Sequence, residues 1–526
     1  MQKMKNKMTP LIGILTLALA AGAAPPKKLN ILVITADDMN WNSVGCFGSP
    51  MKDTTPNIDK LASQGMRFDH AHVATTVCMP SRNALNSGRL PHRSGGEGFH
   101  HFRFPNIPTI PSVLTKNGYK VGVLGKVAHS TPYEDTPWDM AEEMGRNTEL
   151  FYEKSAAFID SAQKEGKPFY LIVNSHDPHR PYYNHKLEGT PLKSRKGKPA
   201  DSHPSRVFHP DEVFVPGFLP DIAPVREELA DYYSSVRRCD DVVGRMLDLI
   251  DDKKLADNTM VVYWSDHGMA APSAKANAYL NSTKTPLIIR WPKHIQPGSV
   301  DSQNFVSIMD IFPTILAATH IKSPGGFDGI SLMPAFKGEK LKDRGELFFT
   351  QFYATIGKSQ FNMRTALTHQ FSYTFNTFYN GDRLYNSSSL GGNFFKSMVA
   401  LGKTDPKWAA RAEFILRRAP EELYDIQKDP DCMNNLAGSP EYAEVMKKFR
   451  KAMATHMKAT NDPVEPVFDT YQATDSIEAM RKSYEQVMED SGLIGRIPRE
   501  VDMEKWTDPK AFKAKKDAAK TKRKKK

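Results

Sequence analysis

Short apolar runs alternate with amphipathic stretches up to residue 320. The apolar runs are rich in β-branched residues and short enough to be buried strands, whereas the amphipathic stretches repeat with a helical period. Strands are predicted at residues 29–34, 119–124, 168–173, 259–264 and 285–289, and helices at residues 56–65, 225–250 and 306–318. This alternation is typical of an α/β domain.

The pattern changes after residue 345, where strands are predicted at 348–352 and within 364–378, and helices at 405–418 and 442–459. We therefore expect a large α/β domain over residues 28–345, with a mixed, mostly parallel sheet sandwiched by helices. A smaller α+β domain with an antiparallel sheet is expected over residues 346–467. Residues 468–526 are expected to form a helical or disordered extension that ends in a Lys-rich tail.

Both ends of the chain are basic. Residues 1–23 combine lysines, an apolar stretch too short to span a bilayer, and small residues suited to cleavage. We interpret them as a signal peptide, which predicts a secreted or periplasmic protein. The three signal lysines and the tail at 510–526 together account for the whole net charge of +11 and leave the body of the chain near neutral. A near-neutral body argues against a nucleic-acid partner, and the tail is suited to weak contact with an anionic surface.

The strongest chemical signal is the pentapeptide CMPSR at residues 78–82, which runs into a predicted short helix. Pro80 suits the first turn of that helix, and Gly88 suits its end. A cysteine at a helix N-terminus, here Cys78, lies in positive potential that can stabilise a thiolate or a bound anion. The alternative at this position is a buried structural cysteine.

Acidic side chains follow two of the predicted strands. Asp37 and Asp38 come directly after the first strand, and Asp266 and His267 follow the strand at 259–264. Ligands of open α/β sheets bind beyond the carboxyl ends of the strands, so we expect these side chains to converge. Carboxylate oxygens suit a hard cation such as calcium or magnesium, while His267 alone would also admit zinc or manganese.

Taken together, these motifs resemble those of the type I sulfatases of the alkaline phosphatase superfamily. The family's maturation signature, Cys-x-Pro-x-Arg, matches residues 78–82, and its Gly-Lys-x-x-His element matches residues 125–129. Further family elements match PHRP at 178–181 and LYD at 423–425. The resemblance covers residues 28–467 and implies an alkaline-phosphatase-like fold.

The resemblance also implies the cofactors. Cys78 would be converted by a formylglycine-generating enzyme into formylglycine, whose hydrated aldehyde is the nucleophile. One divalent cation, taken as Ca²⁺, would lie beside it. The implied metal ligands are the residue at position 78 together with Asp37, Asp38, Asp266 and His267.

The remaining catalytic roles follow from the same resemblance. Arg82 would hold the aldehyde hydrate, and Lys126 and Lys275 would contact the sulfate oxygens. His129 would contact the formylglycine, and His179 would protonate the leaving group. A histidine suits that task because its pKa lies near neutrality.

Within the family, the chain looks most like heparan N-sulfatase (sulfamidase). The segments NSHDPHR at 174–180, FHHF at 99–102 and FVPGFLPD at 214–221 carry this likeness. It implies hydrolysis of the N-sulfate of glucosamine in a sulfated glycan. The candidate sugar contacts are His100, His101, His176 and Asp177.

Three positions depart from the sulfamidase pattern: His267 replaces an asparagine, Lys275 replaces an arginine, and the spacing from Lys126 to His129 is one residue longer. At these positions the chain looks more like iduronate 2-sulfatase. An O-sulfatase of that or another polysaccharide specificity is therefore an alternative, as is a phosphodiesterase or phosphonate hydrolase of the superfamily. A non-catalytic glycan-binding protein on a sulfatase scaffold is an alternative of another class. A homodimer is compatible with each of these functions.

Overall fold

The structure, a computed structural model, describes residues 28–194, 199–352, 355–356, 359–490, 510–511, 513–515 and 517. The signal peptide predicted at residues 1–23 and most of the predicted Lys-rich tail lie outside the described residues. Among the helices that the structure describes, none is long and apolar enough to cross a membrane.

The first part of the chain is organised around an eight-stranded sheet. From edge to edge its strands are Met140–Glu142, Lys120–Leu124, Phe169–Asn174, Asn30–Ala36, Thr259–Ser265, Leu287–Arg290, Met66–Phe68 and Ser299–Asp301. Leu287–Arg290 is antiparallel to both its neighbours, and the other neighbouring pairs are parallel. The expectation of a mixed, mostly parallel sheet is confirmed.

Helices cover both faces of this sheet, because its central strands are apolar on both sides. Along Asn30–Ala36, Leu32 and Ile34 belong to one hydrophobic core, and Ile31 and Val33 belong to the other. The α-helices of this part are Pro56–Gln64, Cys78–Ser87, Pro91–Ser94, Ile110–Lys116, Val127–Ser130, Thr148–Lys164, Ala223–Asp252, Leu280–Thr283 and Ile311–Thr319.

A second unit with its own hydrophobic core follows residue 345. Its antiparallel sheet contains, in order, Phe348–Phe352, Met363–Leu367, Phe371–Asn376 and Glu421–Asp425. Its helices are Gly392–Leu401, Pro406–Arg417, Ala443–Thr460, Glu465–Thr474 and Ile477–Asp490. Ala276 and Ala278 of the large domain also pack in this core, so the two units share an apolar contact.

Most of the predicted elements are confirmed, and one helix is partly wrong. The prediction placed a helix over residues 306–318, but Val306–Ser307 pairs as a short strand with Ala71–His72. Ser307 and Asp310 then form a capping box, which starts the helical turns at Ile308 and delays the α-helix to Ile311–Thr319.

The predicted domain boundary at residue 467 falls inside the helix Glu465–Thr474. Phe468 of this helix packs edge-on against Phe375 of the antiparallel sheet. Met480 and Tyr484, on the next helix, belong to the same core. The described helices beyond residue 467 are therefore part of the C-terminal unit.

Candidate active site

The carboxyl ends of four adjacent parallel strands carry most of the predicted site residues. Each strand is followed directly by charged or ionisable side chains. Across the sheet these are Lys126, then His176 and His179, then Asp37 and Asp38, then Asp266 and His267. The convergence expected from the sequence pattern is therefore present in the fold.

Cys78 is the first residue of the helix Cys78–Ser87, all of whose residues are buried. Gly88 ends the helix with φ +62°, and a Cβ atom there would lie 2.8 Å from the ring of Phe327. The Cys78 Sγ lies 3.6 Å from Asp37 Oδ1, 3.9 Å from Asp38 Oδ1 and 3.4 Å from His267 Nε2. The Cys78 sulfur therefore lies among two carboxylates and an imidazole.

The thiol form of Cys78 is poorly suited to nucleophilic attack. Burial, followed by the negative charge of Asp37, raises its pKa well above the usual value. Lys275 opposes this effect, but a thiolate remains unfavourable beside three carboxylates. An unmodified cysteine therefore stays protonated here near neutral pH.

The donor atoms around Cys78 fit a hard divalent cation. Ligand atoms of Asp38, Cys78, Asp266 and His267 all lie within 4.8 Å of one another, and all four residues are buried. His267 Nδ1 lies 3.0 Å from the carbonyl oxygen of Gly268, to which it can donate its proton. Its Nε2 then presents a lone pair toward the carboxylates, as a metal-ligating imidazole requires.

Arg82 connects the carboxylates to the sheet. Its NH2 group donates to Asp37 Oδ2 at 3.3 Å and to Asp266 Oδ2 at 3.1 Å, and the side chain is 1% exposed. Its NH1 group donates to Thr35 Oγ1 at 2.8 Å and also to Asn174 Oδ1. Burial favours the neutral form, but Asp266 and Asp37 raise the pKa of the guanidinium.

Two lysines neutralise the first acidic pair. Lys126 Nζ lies 2.8 Å from Asp37 Oδ2, and Lys275 Nζ lies 2.6 and 2.7 Å from the two oxygens of Asp38. Burial would raise the pKa of both carboxyls, yet Lys126 holds that of Asp37 well below its usual range, and Lys275 lowers that of Asp38. Both aspartates are therefore ionised.

His179 faces the same cluster. A nitrogen of its ring lies within 4.8 Å of ligand atoms of Asp37, Asp38 and Cys78. Its Nδ1 lies 2.5 Å from the carbonyl oxygen of Arg180, which fixes the ring orientation and leaves Nε2 for the site.

His129 and His176 are half-buried histidines that lie near Lys126. Burial, followed by the charge of Lys126, lowers the pKa of each to about 4. Both rings are therefore neutral near pH 7 and accept protons more readily than they donate them. The ring of Phe99, which is 47% exposed, packs edge-on against His129 with centroids 5.6 Å apart.

The other candidate sugar contacts lie in different surroundings. His100 Nδ1 is 2.7 Å from the carbonyl oxygen of His101, and His101 Nδ1 is 2.9 Å from that of Thr131. Asp177 is 1% exposed and accepts hydrogen bonds from Arg146 and Arg238 on both of its oxygens. Its carboxylate thus holds two arginines, whereas the two histidines remain partly exposed.

Sequence reasoning missed four side chains that hold this site together. Thr35 and Asn174 fix Arg82, and they are register partners at the ends of neighbouring strands. The sequence signal that could have identified Thr35 and Asn174 is a polar residue at the end of an apolar, buried strand. Arg146 and Arg238 fix Asp177. Both are distant from Asp177 in sequence, so no local sequence pattern connects them to it.

The site has a simple charge balance. Three buried carboxylates, Asp37, Asp38 and Asp266, face three cations, Arg82, Lys126 and Lys275. The protein charges thus cancel, and a divalent cation would make the site positive by two. Such a site attracts an anion and stabilises negative charge that develops during reaction.

Comparison with known proteins agrees with this chemistry. The sulfatase family model matches residues 29–321, and the model of the N-sulphoglucosamine sulphohydrolase C-terminal domain matches residues 273–386. Human N-sulphoglucosamine sulphohydrolase is 28% identical, covering 86% of this chain and 95% of that protein. An ulvan-active sulfatase of Formosa agariphila is also 28% identical, covering 84% of this chain and 83% of that protein.

Solved structures share the fold. The protein BT4656, solved in complex with its substrate D-glucosamine-2-N,6-O-disulfate, superposes with a TM-score of 0.61 at 19% identity, covering 83% of this chain and 99% of that one. BT1596, a 2-O glycosaminoglycan sulfatase, also gives a TM-score of 0.61, at 20% identity, over 83% of this chain and 93% of that one. With its C-terminal domain of the N-sulphoglucosamine sulphohydrolase type, the chain belongs to the sulfatase family of sulfuric ester and sulfamate hydrolases.

Proposed function

We propose that this protein hydrolyses the N-sulfate of glucosamine in an anionic glycan, using formylglycine at position 78 and one calcium ion. The observation that carries the proposal is the meeting of Cys78 with three buried carboxylates, His267 and Lys275 in one cluster. The C-terminal domain match and the human relative's name support the choice of an N-sulfate.

Formylglycine at position 78 and a divalent cation supply, when present, the nucleophile and a fixed positive charge beside it. Lys126 and Lys275 bind the sulfate group, since their ammonium groups already lie at Asp37 and Asp38. Arg82 holds Asp37 and Asp266 in place and adds a third positive charge. This preorganised charge stabilises the transition state, in which negative charge spreads toward the leaving atom, more than the ground state.

The leaving group needs a proton, because an amine or alkoxide anion is a poor leaving group. His179 is the proton donor in this proposal, since its Nδ1 is anchored by the Arg180 carbonyl and a ring nitrogen lies within 4.8 Å of ligand atoms of the cluster. His129 is neutral near pH 7 and contacts the residue at position 78, from which its ring can accept a hydrogen bond. His100, His101 and His176 contact the sugar, and buried Asp177 acts on it through Arg146.

Calcium is the expected cation because most of the donors are carboxylate oxygens. Asp37, Asp38, Asp266 and His267 would hold it together with the residue at position 78. The Cys78→Ala protein should bind Ca²⁺ and become more stable by about 2.7 kcal/mol at a hundredfold excess over the dissociation constant. Calorimetric titration and thermal unfolding with and without Ca²⁺ measure this independently of turnover.

The matched variant is Asp266→Asn in the Cys78→Ala protein. It keeps the side-chain size and removes the charge of one metal ligand. Its stabilisation by Ca²⁺ should fall by at least about 1 kcal/mol relative to the Cys78→Ala protein. Equal stabilisation of both variants would place the ion elsewhere. Greater stabilisation by Zn²⁺ or Mn²⁺ than by Ca²⁺ would assign a different metal to the same site.

The proposal includes export and maturation. The signal peptide at residues 1–23 would deliver the chain to the periplasm or the exterior, after a formylglycine-generating enzyme has acted on Cys78. The Lys-rich tail adds weak contact with an anionic surface or glycan.

An O-sulfatase is the second candidate, favoured by His267 and Lys275. These two positions carry the likeness to iduronate 2-sulfatase, and the ulvan-active sulfatase is as similar in identity as the human relative. The same cluster would act on a sulfate ester, with His179 protonating an oxygen instead of a nitrogen.

A substrate panel separates these candidates. Formylglycine-matured protein with Ca²⁺ should release sulfate from N-sulfoglucosamine with a kcat/KM on the order of 10²-fold above that for glucosamine 6-O-sulfate or 2-O-sulfated uronate disaccharides. Cys78→Ala protein is the control for contaminating activity. Faster release from an O-sulfated substrate would identify the protein as an O-sulfatase. Binding of these glycans without release of sulfate would favour a non-catalytic glycan-binding protein.

A further inference from the structure

Lys275 lies on a loop whose backbone is constrained on both sides of it. The loop connects the strand Thr259–Ser265 to Leu287–Arg290, and Lys275 is 5% exposed. Ser273 and Ala276 adopt left-handed backbone conformations, with φ of 66° and 58°. Non-glycine residues take this conformation at a cost in free energy, so surrounding contacts must hold it.

Two of those contacts come from the C-terminal domain. Arg411, which is 5% exposed, donates from NH2 to Ser273 Oγ at 2.9 Å and from NH1 to the carbonyl oxygen of Cys432 at 3.0 Å. The hydroxyl of Tyr385, a fully buried residue, donates to the carbonyl oxygen of Ala276. The C-terminal domain therefore contacts the loop at Ser273, two residues before Lys275, and at Ala276, one residue after it.

The same loop is tied to the segment that precedes Cys78. The Ala276 amide donates to the carbonyl oxygen of Thr76 at 3.1 Å, and Thr76 Oγ1 donates to the carbonyl oxygen of Asn277 at 2.5 Å. The loop that carries Lys275 is therefore bonded both to the C-terminal domain and to the segment before Cys78.

We propose that Arg411 and Tyr385 are positioning residues, through which the C-terminal domain places the Lys275 ammonium for sulfate binding. The inference rests on the proposed function, because that function assigns Lys275 to the sulfate. Neither residue lies in the cluster of carboxylates, so both act through the loop backbone. A misplacement of about 1 Å at a reacting centre can lower turnover on the order of a hundredfold.

The first test measures the position of Lys275 without turnover. Arg411→Lys keeps the charge and loses the planar fork, and Tyr385→Phe loses only the hydroxyl. In both variants, reductive methylation of Lys275, followed by peptide mass spectrometry, should be faster by at least about fivefold, since a loosened loop opens more often.

The matched control is Arg364→Lys. Arg364 is a buried arginine of the same domain, and it pairs with Asp462 through contacts of 2.5 and 2.7 Å. The control should lose comparable stability and leave methylation of Lys275 unchanged. Unchanged methylation in the Arg411 and Tyr385 variants, or an equal rise in the control, would overturn the proposal.

The second test is a double-mutant cycle on calcium-loaded, formylglycine-matured protein. Arg411→Lys should lower kcat/KM about tenfold or more in the parent and by less than about twofold in the Lys275→Ala background, because coupled residues are not additive. Arg364→Lys should leave kcat/KM unchanged in both backgrounds. Equal losses in both backgrounds for Arg411→Lys would contradict the proposal.

The experiments distinguish failure of the proposed function from failure of the positioning role of Arg411 and Tyr385. A parent protein that releases no sulfate from any substrate would defeat the proposed function, and the methylation rates would still decide whether Arg411 and Tyr385 position Lys275. A parent that releases sulfate, with additive losses and unchanged methylation, would keep the function and defeat the positioning role.

Discussion

Cys78→Ala is expected to abolish sulfate release and leave the fold intact. The substitution removes the thiol from which the proposed formylglycine is made, so no aldehyde hydrate can form, and loss of an enzyme nucleophile lowers kcat by a factor on the order of 10⁴ or more. The fold should tolerate the change because a single buried sulfur atom is lost from a cluster in which it faces carboxylates. The free energy of unfolding should change by less than about 1.5 kcal/mol.

Cys432→Ala provides the matched control for this variant. Cys432 is also buried, at 1% exposed, and it belongs to a small core with Tyr279 and Tyr424. Its replacement removes the same atom away from the carboxylates and should leave kcat unchanged. Sulfate release by Cys78→Ala protein at more than about a hundredth of the parent rate would contradict the nucleophile assignment.

Arg82→Leu is expected to lower the free energy of unfolding by about 3–5 kcal/mol, because removal of one partner leaves buried charges uncompensated. Arg82 is 1% exposed and contacts Asp37 and Asp266, and its loss also leaves Thr35 and Asn174 without their cationic partner. Urea denaturation with and without Ca²⁺ measures the effect. The loss should be larger without the ion, when Arg82 is one of three cations facing three carboxylates.

If the Arg82→Leu protein does not fold, Arg82→Lys can be tested instead. Lysine keeps the positive charge but lacks the planar guanidinium that contacts two carboxylates at once. Arg417→Leu is the surface control. Arg417 pairs with Glu413 on an exposed helix face, and its loss should change stability by less than about 0.5 kcal/mol. An Arg82→Leu protein that unfolds at the parent's urea concentration would show that the carboxylates do not depend on this arginine.

Much of the fold could be predicted because its central strands are short, apolar and β-branched. The strand end that carries Asp37 and the one that carries Asp266 are visible in the sequence, and parallel strands must place such ends on one edge of the sheet. The delayed start of the helix Ile311–Thr319 was not visible in the hydrophobic pattern. It depends on a capping box between Ser307 and Asp310, which hydrophobic periodicity does not report.

The parts of the site that could not be predicted depend on contacts between distant segments. Arg82 meets Asn174 across 92 residues of sequence, and Arg411 meets Ser273 across 138. Such contacts arise only once the sheet and the C-terminal domain are assembled. Asp177 illustrates the same limit, since its burial between Arg146 and Arg238 cannot be read from the residues around it.

The most direct test of the central claim relates activity to the chemical state of residue 78. Protein is prepared with graded amounts of a formylglycine-generating enzyme, and peptide mass spectrometry gives the fraction of aldehyde at position 78 in each preparation. Sulfate release per molecule should rise in proportion to that fraction and extrapolate to zero for the unmodified thiol. Activity that is independent of the aldehyde fraction would contradict the formylglycine mechanism.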